Sequence, residues 1–254
     1  MILTYDALRK IIVDILLNIG CSKEDADISA NVLMAAELRN INSHGVIRLK
    51  DYINLYKKGR LNPSPTIVIT HQTPSTAVVD ADAALGMLAG NFAMNIAIQK
   101  AKEVGTGWVS VRNSNHFGIA GYYAMLALKH DMIGITMTNA NPLVAPTFSL
   151  DKLLGTNPVA VAIPAGKYPP FVADFATTPI ARGKLDVMHK KGLNAPLGYV
   201  QDSLGMPSTN PNILTEGGAI LPLGGDYEHG SHKGYCMGAI VDIFSALLSG
   251  AGFG

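Results

Sequence analysis

The chain has 254 residues, 48% apolar and only 15% charged, with 20 Lys+Arg against 19 Asp+Glu for a formal net charge of +1. That length suits one large domain or two smaller ones with a substantial core, and the balanced charge argues against a nucleic-acid binder, which would carry a basic excess or stripe. The charged fraction lies well below the ~25% of ordinary domains, which points to a chain that buries an unusual share of itself or associates with copies of itself.

The first sixty residues read as helices. Residues 4–19 place Leu8, Ile11, Ile12, Ile15 and Leu16 at helical spacing, with Gly20 as a C-terminal stop. Ser22 opens SKED, an S-x-x-D start signal ahead of ISANVLMAAEL. A third helix is expected from about His44 to Lys58, closed by Gly59. Beyond LNPSP the pattern changes: TIVIT (66–70) and TAVVD (76–80) read as strands or a hairpin. Residues 86–105 then read as a helix, 108–112 as a strand, 119–131 as a helix and 133–139 as a strand. VAVAIP (159–164) and FVADF (171–175) are further apolar strands, and 178–191 reads as a helix. Residues 192–232, rich in Gly, Pro, Asn and Ser, read as loop, and a helix from Lys233 to about Leu248 closes the chain. This order gives an α/β fold with a boundary near Asn62–Pro65: a helical N-terminal part (1–65) and an α/β body (66–254).

Two cysteines far apart, Cys21 and Cys236, form no disulfide framework and suit a reducing compartment. MILTYDALRK shows no basic leader before an apolar run, so no signal peptide is expected and the chain reads as cytoplasmic. The most membrane-like stretch, 234–254, carries Asp242 at its middle, which costs roughly 2.5–3.5 kcal/mol on insertion; a buried amphipathic helix is the better reading. Gly105 and Gly107 open a G-x-G, but position 110 is Ser, so there is no G-x-G-x-x-G, and no G-x-x-x-x-G-K-[ST] exists. A conventional dinucleotide fingerprint and a P-loop are both unsupported.

Five segments can carry chemistry. In NSHGVIR (42–48) a continuous helix puts His44, Arg48 and Tyr52 within about an 80° arc, with Val46, Leu49, Ile53 and Tyr56 as a separate apolar stripe that the helix can bury. An imidazole and a guanidinium on one face suit proton exchange and a carboxylate, respectively; a solvated polar face is the plainer alternative. NSNHFG (113–118) sits between a strand and a helix, where a helix N-terminus favours a neutral His116 able to act as a base; a polar turn fits equally. VADFATT (172–178) places Asp174 after a strand, to accept from a ribose hydroxyl, orient a His or simply cap a helix. LPLGG (221–225) and HGSHKGY (229–235) lead Gly-rich chain to a Lys at a helix start, as phosphate binding or plain loop. His229 and His232 are a weak metal signal without a third ligand. In LGTNP (154–158), Asn157 reads as a turn residue or as a donor to substrate or a carboxamide.

Together INSHGVIRL, NSNHFGIAGYYA, GTNPVAVAIP, VADFATT, ARGKL, LGYVQDSLGMPSTNP, LPLGG and HKGY resemble, in order and over nearly the whole chain, the malate/L-lactate dehydrogenase family. That family lacks the Rossmann fold and also holds ureidoglycolate, sulfolactate and diketogulonate enzymes. The resemblance implies the family's own fold, a helical N-terminal part with an α/β cofactor body. It implies an NAD(P)-dependent oxidoreductase, NAD favoured, acting on a small 2-oxo/2-hydroxy acid of malate or lactate type, as a cytoplasmic homodimer without resident metal. By the same resemblance His116 or His44 is the acid/base. Arg48 binds the substrate carboxylate, with Ser43 and Tyr52 beside it, and Asn157 of the LGTNP turn is a further substrate-binding candidate. Asp174, Phe175, Ala176, His232 and Lys233 contact the cofactor. Ala140 stands where some relatives have Ser, and that contact is not carried over. Family members continue past the equivalent of LSGAGFG with a segment that normally adds a cofactor contact, whereas this sequence stops at Gly254: either the chain is incomplete or the protein is truncated, with weakened cofactor affinity. A cyclic imino-acid reductase of the same family and, from another class, a metal-dependent hydrolase using His116, His229 and His232 are the alternatives, as is a cofactor-binding module without turnover.

Overall fold

A computed structural model describes residues 3–252. The chain forms two compact units, one of residues up to Ile135 with Val161–Val172, the other of Thr136–Ala160 with residues from Ala173 onward. The expected boundary at 62–65 therefore falls inside the first unit, because the N-terminal helices have no core of their own.

The first unit opens with α1 (Tyr5–Asn18), whose N-cap Thr4 accepts from the Ala7 N–H, and α2 (Lys23–Leu38), whose N-cap Ser22 accepts from the Asp25 N–H at 3.1 Å. Two 3-10 turns, Asn42–His44 and Val46–Arg48, precede α3 (Leu49–Lys57). Strands β1 (Val68–Gln72) and β2 (Thr76–Ala84) form the anticipated antiparallel hairpin, helix α4 (Gly86–Val104) crosses over, and β3 (Trp108–Ser114) pairs parallel to β2. The helix expected over 119–131 is α5 (Ala120–Leu126) tightening into a 3-10 turn to His130. Ile12 and Leu16 of α1, Ala30 and Leu33 of α2, Tyr52 of α3, Leu85 and Met87 around the start of α4, and Tyr123 of α5 share one buried cluster. Helical and α/β segments thus fold on the same core.

The chain crosses between the units within β4 (Gly134–Met137), β5 (Val159–Ile163) and β6 (Phe171–Phe175). The second unit then holds α6 (Arg182–Lys190) and, where loop was expected, the two-residue strands β7 (Val200–Gln201), β8 (Pro207–Ser208) and β9 (Ala219–Ile220), in the order β8-β7-β9. Strands this short leave no alternating pattern in the sequence. Its core gathers Val144, Leu154, Ile180, Leu185, Val200 and Ile220. The closing helix α7 (Ser231–Asp242) passes into a π turn over Ile243–Leu247.

Candidate active site

The expected helix from His44 to Lys58 is interrupted, and the interruption shapes the site. Glu37, at the end of α2, accepts the Val46 N–H at 2.7 Å. Its carboxylate oxygen stands only 2.0 Å from where a Cβ on residue 45 would be, so a glycine there lets the carboxylate in. The helical path breaks at Gly45 (φ −91°, ψ −142°) and regular α-helix begins only at Leu49. The common arc inferred for His44, Arg48 and Tyr52 therefore does not exist. Tyr52 lies on the buried side of α3 with Leu49, 1% exposed, while Tyr56 of the expected apolar stripe is exposed.

Arg48 is held at two points. Its Nε donates to the Ser43 carbonyl at 2.7 Å and one terminal nitrogen donates to the Asp51 carboxylate at 3.1 Å. Ser43 Oγ lies 2.8 Å from His44 Nδ1. The loop after β3 brings His116 onto this group: the His44 and His116 rings stack with centroids 5.4 Å apart and planes 22° from parallel. Tyr52 Oη lies 2.9 Å from His116 Nδ1, and the Gly118 N–H donates to the same nitrogen at 3.3 Å. So the two imidazoles, singled out separately in the sequence, meet in one unit beside one guanidinium.

The His116 loop is anchored from below. β2 loses register between Asp80 and Ala84, where Asp82 and Ala83 take left-handed backbone (φ 51° and 56°). The bulge turns the Ala83 and Ala84 carbonyls toward Asn115, whose side-chain amide donates to them at 2.8 and 3.0 Å. Gly86, first in α4, packs so tightly that an added Cβ would sit 2.0 Å from the Asn115 carbonyl. A Gly86→Ala variant meets backbone rather than a movable side chain. Overpacking of this kind costs about 1–3 kcal/mol or more, so the urea midpoint drops; an unchanged midpoint would show that the loop gives way freely.

Packing of protein around each ring, with the Arg48 guanidinium nearby, brings His44 down from 6.5 to about 4. For His116, burial leads, His44 and Arg48 add to it, and Asp51 opposes, with the same result of about 4. Both rings are thus neutral at physiological pH, and His116 keeps an edge open to solvent. Unfolding frees both to titrate near 6.5, so the unfolded chain binds more protons between about 6.5 and 4. Stability accordingly falls as pH drops through that window, starting above the range in which carboxylates titrate. Urea melts from neutral pH downward should show the decline, and a flat profile would contradict the depressed imidazoles.

The second unit holds the remaining candidates. Asp174 and Phe175 end β6 with exposed side chains, and Ala176 follows. His232 and Lys233 are exposed in the first turn of α7. Asn157 is placed differently from the expected donor to substrate. It is fully buried, its Nδ2 donates to the Gly238 carbonyl at 2.9 Å and to Asp242 at 3.0 Å, and its Oδ1 accepts the Ala140 N–H at 3.0 Å. Its amide ties two segments of the unit together and has no hydrogen left for a ligand. His229 pairs with Asp226 at 2.5 Å and His232 packs against Tyr227, and no group of three metal-ligating side chains occurs among the described residues.

Glu37, Asp51, Asn115 and Gly118 were not singled out from the sequence. Asp51 and Gly118 lie within four residues of candidates, and a search of near neighbours finds them. Glu37 lies eight residues before Gly45 and acts through a chain reversal that no periodicity reports.

A family model described as malate/L-lactate dehydrogenase matches residues 3–254. The malate dehydrogenase of Pyrococcus horikoshii is 47% identical over 96% of this chain and 68% of its own length. Among solved structures, the malate dehydrogenase of Entamoeba histolytica superposes with a TM-score of 0.92 at 38% identity, covering 99% of this chain and 72% of that one. The sulfolactate dehydrogenase of Methanocaldococcus jannaschii gives 0.91 at 45% identity, covering 100% and 71%. Match and geometry agree, and the chain is an enzyme of the malate/L-lactate dehydrogenase family.

Proposed function

We propose that this enzyme reduces a small 2-oxo acid to its 2-hydroxy acid, and runs the reverse, with NAD favoured over NADP. The carrying observation is the meeting of His44, His116 and Arg48 around Tyr52 and Ser43. The substrate class is supported by relatives named malate and sulfolactate dehydrogenase at 45–47% identity. The alternative of a cyclic imino-acid reductase is supported by a more distant neighbour, a delta1-piperideine-2-carboxylate reductase at 28% identity.

Arg48 takes the substrate carboxylate. Its planar fork suits two oxygens, and its hold on Ser43 and Asp51 fixes the direction of approach. His116 handles the proton: its Nδ1 is occupied, so Nε2 faces the reacting oxygen. As imidazolium it gives a proton to the oxygen that gains charge on reduction, and as imidazole it takes one from the hydroxyl on oxidation. His44, stacked against it, opposes a second positive charge, so protonation of both rings together is disfavoured. A bound carboxylate offsets the Arg48 charge that disfavours the imidazolium, so substrate binding helps to protonate the ring.

The residues of the second unit fit a nicotinamide dinucleotide. Lys233 and His232, exposed in the first turn of α7, suit phosphate charge at a helix N-terminus. Asp174, Phe175 and Ala176 offer a carboxylate, an exposed flat ring and open backbone. When bound, that group supplies the hydride. We also propose a cytoplasmic homodimer. Support comes from the low charged fraction and from exposed Ile240, Ile243 and Leu247 along α7 and its π turn. Both cysteines are free, and no helix among the described residues is long and apolar enough to cross a membrane.

The test is a spectrophotometric screen of the purified protein with NADH and NADPH against oxaloacetate, pyruvate, sulfopyruvate and a cyclic imino acid. Cofactor oxidation with an oxo acid supports the proposal; turnover with the imine alone, or with nothing, overturns it.

A further inference from the structure

His116 Nδ1 is approached by two hydrogen-bonding groups that are not equivalent. The Gly118 N–H can only donate, so in the resting protein Nδ1 carries a lone pair. The Tyr52 hydroxyl, 2.9 Å from the same nitrogen, must then donate as well, and the ring's own hydrogen sits on Nε2. Tyr52 is 1% exposed, and His116 Nδ1 is its hydrogen-bond partner. A phenol sunk this far in the core is not placed as the substrate contact that the resemblance suggested.

A hydroxyl differs from the carboxylate or carbonyl that usually receives a histidine Nδ1–H. Those groups only accept, which fixes one tautomer and favours the imidazolium. A phenol donates to a bare Nδ1 and, by turning its O–H, accepts from a protonated one. It can therefore hold the ring at one angle whether or not the ring is charged. Burial pushes the Tyr52 hydroxyl well above its usual range, so it stays protonated and is not itself the proton source.

We propose that Tyr52 is the positioning residue of this site: its hydroxyl grips His116 through Nδ1 in both protonation states and keeps Nε2 turned to the substrate. The inference rests on the reading of His116 as the proton carrier. Tyr52 lies in the first turn of α3, four residues after Arg48 at the helix's N-cap, so this short segment sets both the carboxylate clamp and the angle of the acid/base ring. During reduction the imidazolium donates its Nε2 proton to the substrate oxygen. The hydrogen left on Nδ1 points to Tyr52, and Nε2 recovers a proton from water at the exposed edge. For oxidation the neutral ring holds its hydrogen on Nδ1, against the Tyr52 hydroxyl, so that a bare Nε2 takes the hydroxyl proton and then passes it to water, the same transfers in reverse.

A Tyr52→Phe variant keeps the ring that fills the core and loses only the hydroxyl. Turnover should fall about 10- to 100-fold in both directions, as expected for a misdirected reacting group, with KM for the acid little changed because Arg48 is untouched. The reduction pH profile should move to lower pH, since the imidazolium loses its only acceptor and still faces the Gly118 N–H. Unchanged turnover in this variant, with His116→Ala inactive, overturns the inference and leaves the His116 reading standing. A raised KM at constant kcat would make Tyr52 a substrate contact and also overturn it. Full turnover in His116→Ala would instead sink the underlying reading. Nitrogen-15 NMR of histidine-labelled wild-type protein needs no variant: the inference expects the hydrogen on Nε2 of His116 at neutral pH, and a resting Nδ1–H overturns it.

Discussion

Replacing His116 with Ala lowers kcat for 2-oxo acid reduction by about 10²- to 10⁴-fold, the span that general acid–base catalysis supplies. The loss should appear in kcat, because in the proposed mechanism His116 meets the reacting oxygen rather than the carboxylate. Its pH dependence is fixed in sign. With the ring titrating at about 4 in the free protein, the imidazolium needed for reduction is the minor form at neutral pH. kcat/KM for reduction therefore falls as pH rises above about 4, whereas kcat/KM for oxidation, which needs the neutral ring, is level through neutrality. Stopped assays in both directions over a pH series check this. Near-normal turnover in His116→Ala would move the proton to His44, whose ring is stacked on it and depressed to the same value of about 4.

Arg48→Ala should cost about 2–5 kcal/mol in kcat/KM, the range for truncating one partner of a charge-assisted pair, or roughly 30- to several thousand-fold. Most of it should fall on KM for the carboxylate substrate. The variant also carries a second signature. Arg48 depresses both His44 and His116, so its removal raises both, and the reduction profile moves toward neutral pH. Arg48→Lys keeps the charge but loses the fork, so it should retain the profile while still binding substrate poorly. An unchanged KM in Arg48→Ala, measured by initial rates against the preferred acid, removes the clamp.

The sequence made the site's ingredients legible more readily than their assembly. NSNHFG between a strand and a helix, and Arg48 four residues after His44, are local patterns, and the structure keeps both neighbourhoods. Helices α1 and α2 were readable because their apolar spacing comes with a stop at Gly20 (φ 101°) and a start at Ser22, and α4 because it is one long run over 86–105. Three things were not readable. The break at Gly45 depends on Glu37, a contact made across the turn between helices. The buried face of α3 was misjudged, since Tyr52 and not Tyr56 turns inward once the helix starts at Leu49. The role of Asn157 is set by α7, some eighty residues onward, whose Gly238 carbonyl and Asp242 carboxylate claim its amide. Each miss is a tertiary contact overriding a local rule, and two of them sit at or beside the site.

The two units are braided along the sequence rather than strung one after the other, since the chain changes unit inside three strands. The first unit lacks its last piece until Val172 has been synthesised, by which time part of the second has already been made. Neither unit is encoded by one uninterrupted stretch of gene, so a single crossover within it would not transfer the unit that carries His44, Arg48 and His116 intact. The two halves have had to change together.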